Sequence, residues 1–208
     1  MRLCIVGASG PTGRLLVSEA QARAHDVVAF ARAAAPYPDG VRAVVGDVRT
    51  PGVLDEAIVG QDAVIVLHGV SLAEANRPTD LVSVGTRNVI DSMQRAGVRR
   101  LIVQSSHGVG DSAKDAGLLA RLFFWMRLRG AYADKVVQES LVRESRLDWT
   151  IVRPARLTDG PGGGQWVERL GHGPIPSSIA RIDVARYLLR LAEESRHVVE
   201  TVALGARG

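Results

Sequence analysis

Gly7, Gly10 and Gly13 stand three residues apart in the run Leu3-Cys4-Ile5-Val6-Gly7-Ala8-Ser9-Gly10-Pro11-Thr12-Gly13-Arg14. Four apolar residues lead into them, and an amphipathic stretch beginning Leu15-Leu16-Val17 follows. The pattern predicts a buried strand, a tight turn and a helix N-terminus. A turn of this kind can hold a pyrophosphate. Its glycines bring backbone N–H groups close with no Cβ in the way, and the helix dipole favours negative charge. The readable strand before the turn and helix after it set it apart from a bare glycine triplet and point to a dinucleotide. Ser9, Pro11 and Thr12, inside the turn, join the glycines as expected cofactor contacts.

The elements that must position this turn alternate along the chain. Strands are expected at 26–31, 41–45, 63–67, 99–104, 149–152 and 198–204, the fifth of these halted by Pro154. Helices are expected at 53–59, 79–95 (stopped by Gly97) and 132–145, with a surface helix at 182–194. Residues 158–164, rich in glycine, read as a flexible loop. Strands that alternate with helices and are nearly continuous in apolar content predict an α/β fold, a doubly wound parallel sheet covered on both faces. No internal repeat or low-complexity linker interrupts residues 1–208, which are expected to form one domain.

In open α/β sheets the ligand lies outside the carboxyl ends of the strands. The candidates are therefore Gly7 to Arg14, Arg32, Asp47 with Val48, His68 with Gly69, Ser105-Ser106-His107 and Pro154-Ala155-Arg156. A site for unphosphorylated NAD places an acid at the end of the second strand, on the ribose 2′-OH. Here that position holds Arg32, and Asp26 sits at the strand's other end. An arginine there pairs with a 2′-phosphate through its fork of donors, and Arg14 can add a second positive charge. NADP(H) is thus expected over NAD(H), against the alternative that Arg32 is only a solvated loop residue. Asp47 fits either the adenine amino group or an Asx-type turn cap.

Composition narrows the function classes. The 208 residues, 46% hydrophobic and 23% charged, are those of an ordinary soluble domain. No apolar run reaches membrane-spanning length and no signal peptide precedes Arg2. Cys4, the only cysteine, lies within the first strand, so a disulfide-free cytoplasmic protein is expected. The net charge of +4 comes from scattered residues, nearly all arginine. Nucleic acid is therefore not an expected partner, although the field favours an anionic cofactor. The five histidines show no paired metal-ligand spacing, and no metal is expected. His68, at a strand end, is expected to pack against backbone.

Several segments together resemble a known group: the glycine turn, Gly46-Asp47-Val48, Gly60-Gln61-Asp62-Ala63-Val64-Ile65 and Trp149-Thr150-Ile151-Val152-Arg153-Pro154. They are similar to the atypical short-chain dehydrogenase/reductases, within these to the NAD(P)H-binding, NmrA-like branch that includes flavin reductase/biliverdin-IXβ reductase. The resemblance runs from Leu3 to about Leu204. It implies a Rossmann-like domain with a small C-terminal substrate-covering region, the cover falling at about 107–131 and 155–181. It also implies cofactor contacts at the glycine turn, Arg32, Asp47, Val48, the Leu67-His68-Gly69 corner and Pro154.

Many members of this group use a serine after the fifth strand with a tyrosine and a lysine on the next helix. The phenol protonates a carbonyl as hydride arrives, the ammonium lowers the phenol pKa, and the serine orients the oxygen. The resemblance assigns these roles to Ser106 (or Ser105) and Lys135, one of only two lysines. The usual Tyr-x-x-x-Lys spacing is absent. Ala131 occupies the tyrosine position, and Tyr132 lies three residues before Lys135, still on one helix face. Flavin and biliverdin reductases also lack the pair and can take the proton from solvent. The position of their histidine is filled here by Arg156, which either grips an anionic substrate group or is an idle loop arginine. His107 invites a proton-relay role beside the substrate.

Residues 118–129 gather three of the nine aromatics, Phe124 and Trp125 among them. Core burial, a roof over the substrate, a dimer face and a membrane contact are all open readings. The leading functional expectation is an NADPH-dependent oxidoreductase reducing a conjugated or aromatic small molecule, as a monomer or homodimer. The rivals are a non-catalytic NADP(H) sensor and an epimerase or dehydratase.

Overall fold

The computed structural model describes residues 1–115 and 126–206. Its centre is an eight-stranded sheet of order β3-β2-β1-β4-β5-β6-β10-β8. The strands are β1 (Arg2–Val6), β2 (Asp26–Ala31), β3 (Arg42–Val45), β4 (Ala63–Val66), β5 (Arg100–Gln104), β6 (Asp148–Pro154), β8 (Trp166–Leu170) and β10 (Glu200–Ala206). Every pairing is parallel except that of β8 with β10. A separate pair, β7 (Arg156–Thr158) and β9 (Ser178–Ala180), runs parallel beside the sheet's carboxyl end.

The apolar runs form strands because both faces are covered. Along β1, Leu3 and Ile5 enter one core and Cys4 and Val6 the other, with all four fully buried. This is the two-residue period of a strand buried on both sides. The first core lies under α1 (Pro11–Ala22) and α5 (Arg181–Glu193). The second lies under α2 (Asp55–Ile58), α3 (Leu81–Ala96) and α4 (Arg129–Glu144). Strand order reverses between β1 and β4, so the crevice at their carboxyl ends is where a ligand of such a sheet is held. This is the expected doubly wound Rossmann-like fold. No described helix is long and apolar enough to cross a membrane.

β6 begins at Asp148, just before the expected 149–152, and ends on Pro154, the residue expected to halt it. Two expectations change. The helix near 182–194 is no surface helix. Val184, Leu188 and Tyr187 of α5 are buried against α1 and the sheet, and only the opposite face meets solvent. The 158–164 segment is not a free loop either: Thr158 belongs to β7, and Asp183 accepts hydrogen bonds from the N–H groups of Gly163 and Gly164, each 3.0 Å.

Candidate active site

The turn after β1 is built by close approach. Gly7 has φ +89°, and a Cβ there would lie 2.6 Å from the His68 nitrogen. A Cβ on Gly13 would lie 2.4 Å from the Gly7 carbonyl. The N–H groups of Gly7 and Ala8 both donate to the Phe30 carbonyl, at 2.9 and 3.1 Å, tying the turn to the end of β2. Gly10 precedes the helix and Pro11 is its first residue, with no side chain capping the end. Among the described residues, the N–H groups of Ser9, Thr12 and Gly13 have no partner. Uncapped donors at a helix N-terminus are what a pyrophosphate needs, so the turn fits such a group. Gly7→Ala should cost about 2–4 kcal/mol of stability through backbone strain and the forced shift of β4, read from urea unfolding. A variant as stable as the parent would show that the turn can open.

Around this turn the strand ends bring most of the expected residues together. Arg32 follows β2, exposed, with no ion pair or hydrogen bond among the described residues; its field reaches Asp47 and Glu74. Arg14 donates from Nε to the Ser9 carbonyl of the turn at 3.0 Å, its field reaches Tyr37, and it lines a cleft together with Arg181. Asp47 forms an Asx-type turn with the Arg49 N–H (2.9 Å) and an ion pair with the Arg49 guanidinium (2.7 Å), which hold its carboxyl near 2. Val48 is fixed by Asn88 Nδ2, which donates to its carbonyl at 2.9 Å.

His68 packs under α3, as expected for a backbone-packing role. Its Nε2 lies 3.2 Å from the Val82 carbonyl, burial pushes its pKa down to about 4, and Nδ1 is buried without a partner. Gly85 makes this possible, since a Cβ there would lie 2.8 Å from His68 Nε2. Above the corner, Gly69 faces open space.

At the end of β5 the serines part. The Ser105 hydroxyl turns inward and donates to Glu139 at 2.6 Å, fully buried, whereas Ser106 is half-buried beyond the strand. Lys135 Nζ donates to the Gln104 carbonyl at 3.2 Å. Burial pushes its pKa down to about 8 against the opposing pull of Glu139 and Asp134. Tyr132 donates its phenol to the His107 carbonyl at 3.1 Å, and burial raises its pKa to about 12. His107 is half-buried and donates its N–H to the Pro154 carbonyl at 2.9 Å. Arg156 is exposed at the start of β7. Phe124 and Trp125 lie outside the described residues.

A family model described as NAD(P)H-binding matches residues 7–195, the glycine turn through α5. The chain belongs to this NAD(P)H-binding family. It is similar to UPF0659 protein YMR090W of Saccharomyces cerevisiae, 29% identical across 98% of this chain and 92% of that one. Among solved structures it is similar to ChuY, an anaerobillin reductase from Escherichia coli O157:H7. The two are 26% identical, with a TM-score of 0.83 over 99% of this chain and 97% of that one. A short-chain dehydrogenase/reductase from Veillonella parvula, solved with NADP, shares the fold at 16% identity. Its TM-score is 0.84 over 100% of this chain and 95% of that one. The match bears out the resemblance read from the sequence, and the fold is that of an NAD(P)-binding oxidoreductase.

Three buried acids tie neighbouring elements of the fold together, and none stands out in the sequence. Asp134, 4% exposed, accepts from the N–H groups of Val82 (2.8 Å) and Ser83 (3.0 Å). It thereby caps α3 from α4. Glu139, one turn after Lys135, accepts from Ser105, from Arg153 (2.9 and 2.6 Å) and from Arg143 (2.8 Å). Asp183 holds the glycine loop. A sequence signal existed only for α4, whose exposed Val136 and Val137 and buried Asp134, Gln138 and Glu139 reverse the usual helix pattern.

Proposed function

We propose that this chain is an NADPH-dependent reductase of a conjugated or aromatic small molecule such as a flavin, quinone or enone. The observation that carries the reading is Lys135, a half-buried ammonium at the carboxyl end of β5, within electrostatic reach of His68, whose backbone packs against Gly7 of the uncapped glycine turn. When bound, NADPH supplies a hydride to the acceptor. The turn from Gly7 to Gly13 binds the pyrophosphate. Arg32, the exposed cation after β2, takes the 2′-phosphate and sets the preference over NADH. Asp47, Val48, His68, Gly69 and Pro154 line the cofactor, and Ser105 braces that wall from behind. Lys135 holds the ribose end, Ser106 orients the acceptor, and the segment 155–181 covers it, with His107 and Arg156 on the substrate side.

A test combines NADPH oxidation with flavin, quinone and carbonyl acceptors and NADPH binding in the same samples. Turnover that drops at least tenfold in Ser106→Ala supports the reductase. Arg32→Glu should reverse the NADPH over NADH preference, and an unchanged ratio would remove Arg32 from the cofactor site. One observation favours a second reading, a non-catalytic NADP(H) sensor. Tyr132 gives its phenol proton to a backbone carbonyl and has its pKa raised rather than lowered, the reverse of a proton donor poised for a ketone. Tight NADPH binding without turnover across the panel selects the sensor.

A further inference from the structure

A cleft of about 480 Å³ opens beside the glycine turn, between the N-terminal ends of α1 and α5. Leu15, Pro161 and Ile182 give it apolar walls, and Arg14 and Arg181 bring two guanidiniums to it. Its one carboxylate, Asp159, pairs with Arg181 but is 84% exposed, so water screens that pair. Neither helix end carries a side-chain cap, and both dipoles add positive potential at the mouth.

The wall nearest α5 is built rather than incidental. Asp183, 1% exposed, gives both carboxylate oxygens to the N–H groups of Gly163 and Gly164. A Cβ on Gly162, at φ +75°, would lie 2.7 Å from Asp183 Oδ1, so only glycine lets the loop close down on the helix end. Asp183 thereby turns both carboxylate oxygens to its own loop, and Arg14 and Arg181 are the cationic side chains that line the cleft.

We propose that this cleft takes the anionic head of an apolar acceptor, an aryl or alkyl carboxylate or phosphate, on the forks of Arg181 and Arg14. Calling the occupant an acceptor rests on the reductase reading; the binding of the anion does not. A planar guanidinium pairs two-pronged with either head group, and two of them around apolar walls select for charge and hydrocarbon together. The cleft shares Pro11 with the glycine turn, so its occupant would lie next to the cofactor and not on it.

The test is calorimetric titration of 2-naphthoate, 2-naphthyl phosphate and neutral 2-naphthamide into the full chain, alone and saturated with NADP⁺. Both anions, or one of them, should bind at least tenfold tighter than the amide, with NADP⁺ present as well as absent. The tighter of the two names the head group. Arg181→Gln should weaken the anions at least tenfold and leave the NADP⁺ Kd unchanged. Arg14→Gln, read on anion binding alone because Arg14 Nε also holds the Ser9 carbonyl of the turn, provides a second variant if the first is unstable. Equal binding of the amide, loss of the anion on adding NADP⁺, or no effect of either arginine overturns the proposal. Anion binding by a chain that fails to bind NADP⁺ supports the cleft and overturns only the nucleotide reading.

Discussion

Glu139→Leu should lower the unfolding free energy by about 3–5 kcal/mol, the cost of leaving a buried charge without its partner. Glu139 is 1% exposed and its carboxylate receives four hydrogen bonds, two of them from Arg153. The Arg153 side chain is 6% exposed, and the carboxylate left to it would be Asp111, which is 58% exposed. Pairing Glu139→Leu with Arg153→Met removes both charges and should recover most of the loss, because apolar groups of similar volume pack without a desolvation penalty. Urea unfolding of the two variants measures this, and a single variant within about 1 kcal/mol of the parent would sink it. Acid should act the same way. Burial pushes the Glu139 carboxyl up, but Arg153, Ser105 and Arg143 outweigh it and the net pKa lies below the ordinary 4.5. A depressed folded-state pKa gives a contribution that is whole above about pH 4.5 and drains as pH falls through the folded value.

Lys135→Met should weaken NADPH binding about 10- to 100-fold, the worth of a hydrogen bond to a charged group at about 1.5–3 kcal/mol. The proposed role of Lys135 at the ribose end requires the ammonium, and its pKa near 8 brings the loss of that charge within reach. Asp134 and Glu139 favour the charged form, while His68, neutral with its pKa near 4, adds no repulsion above pH 5. A ligand that binds only the protonated lysine loses affinity as pH rises through 8, approaching tenfold per unit. NADPH affinity in the parent should therefore be level near pH 7 and fall above about pH 8. The fall should be absent in Lys135→Met and delayed in Lys135→Arg. Identical alkaline limbs in parent and methionine variant would take the role away from Lys135.

Much of the frame was legible because burial on both faces writes itself as unbroken apolar runs. β2 lies at Asp26–Ala31 as read, and Gly97 ends α3 with φ +69°, the left-handed conformation a glycine supplies. The glycine turn was legible because its conformation excludes side chains. The strands β8 and β9 were not: one is a half-exposed antiparallel edge and the other is three residues long, so neither carries an apolar run. The buried acids were hidden for a different reason. Asp134 meets Val82 across 52 residues, and Ser105 meets Glu139 across 34, distances at which a sequence offers no register. A charged residue on a helix reads as solvated until its partner arrives from another element.

The two margins of the sheet bear on how copies of the chain meet. β3 is four residues long and mostly exposed, with Arg42 at its start held by Glu56. β8 presents Glu168 and Arg169 midway along its length and bonds to β10 alone among the described strands. A stub and a charged strip are poor templates for a further strand, since an added chain would have to align against fixed charge on too few backbone groups. The sheet therefore ends at both sides by its own chemistry, which guards a concentrated solution of this protein against edge-to-edge fibre growth.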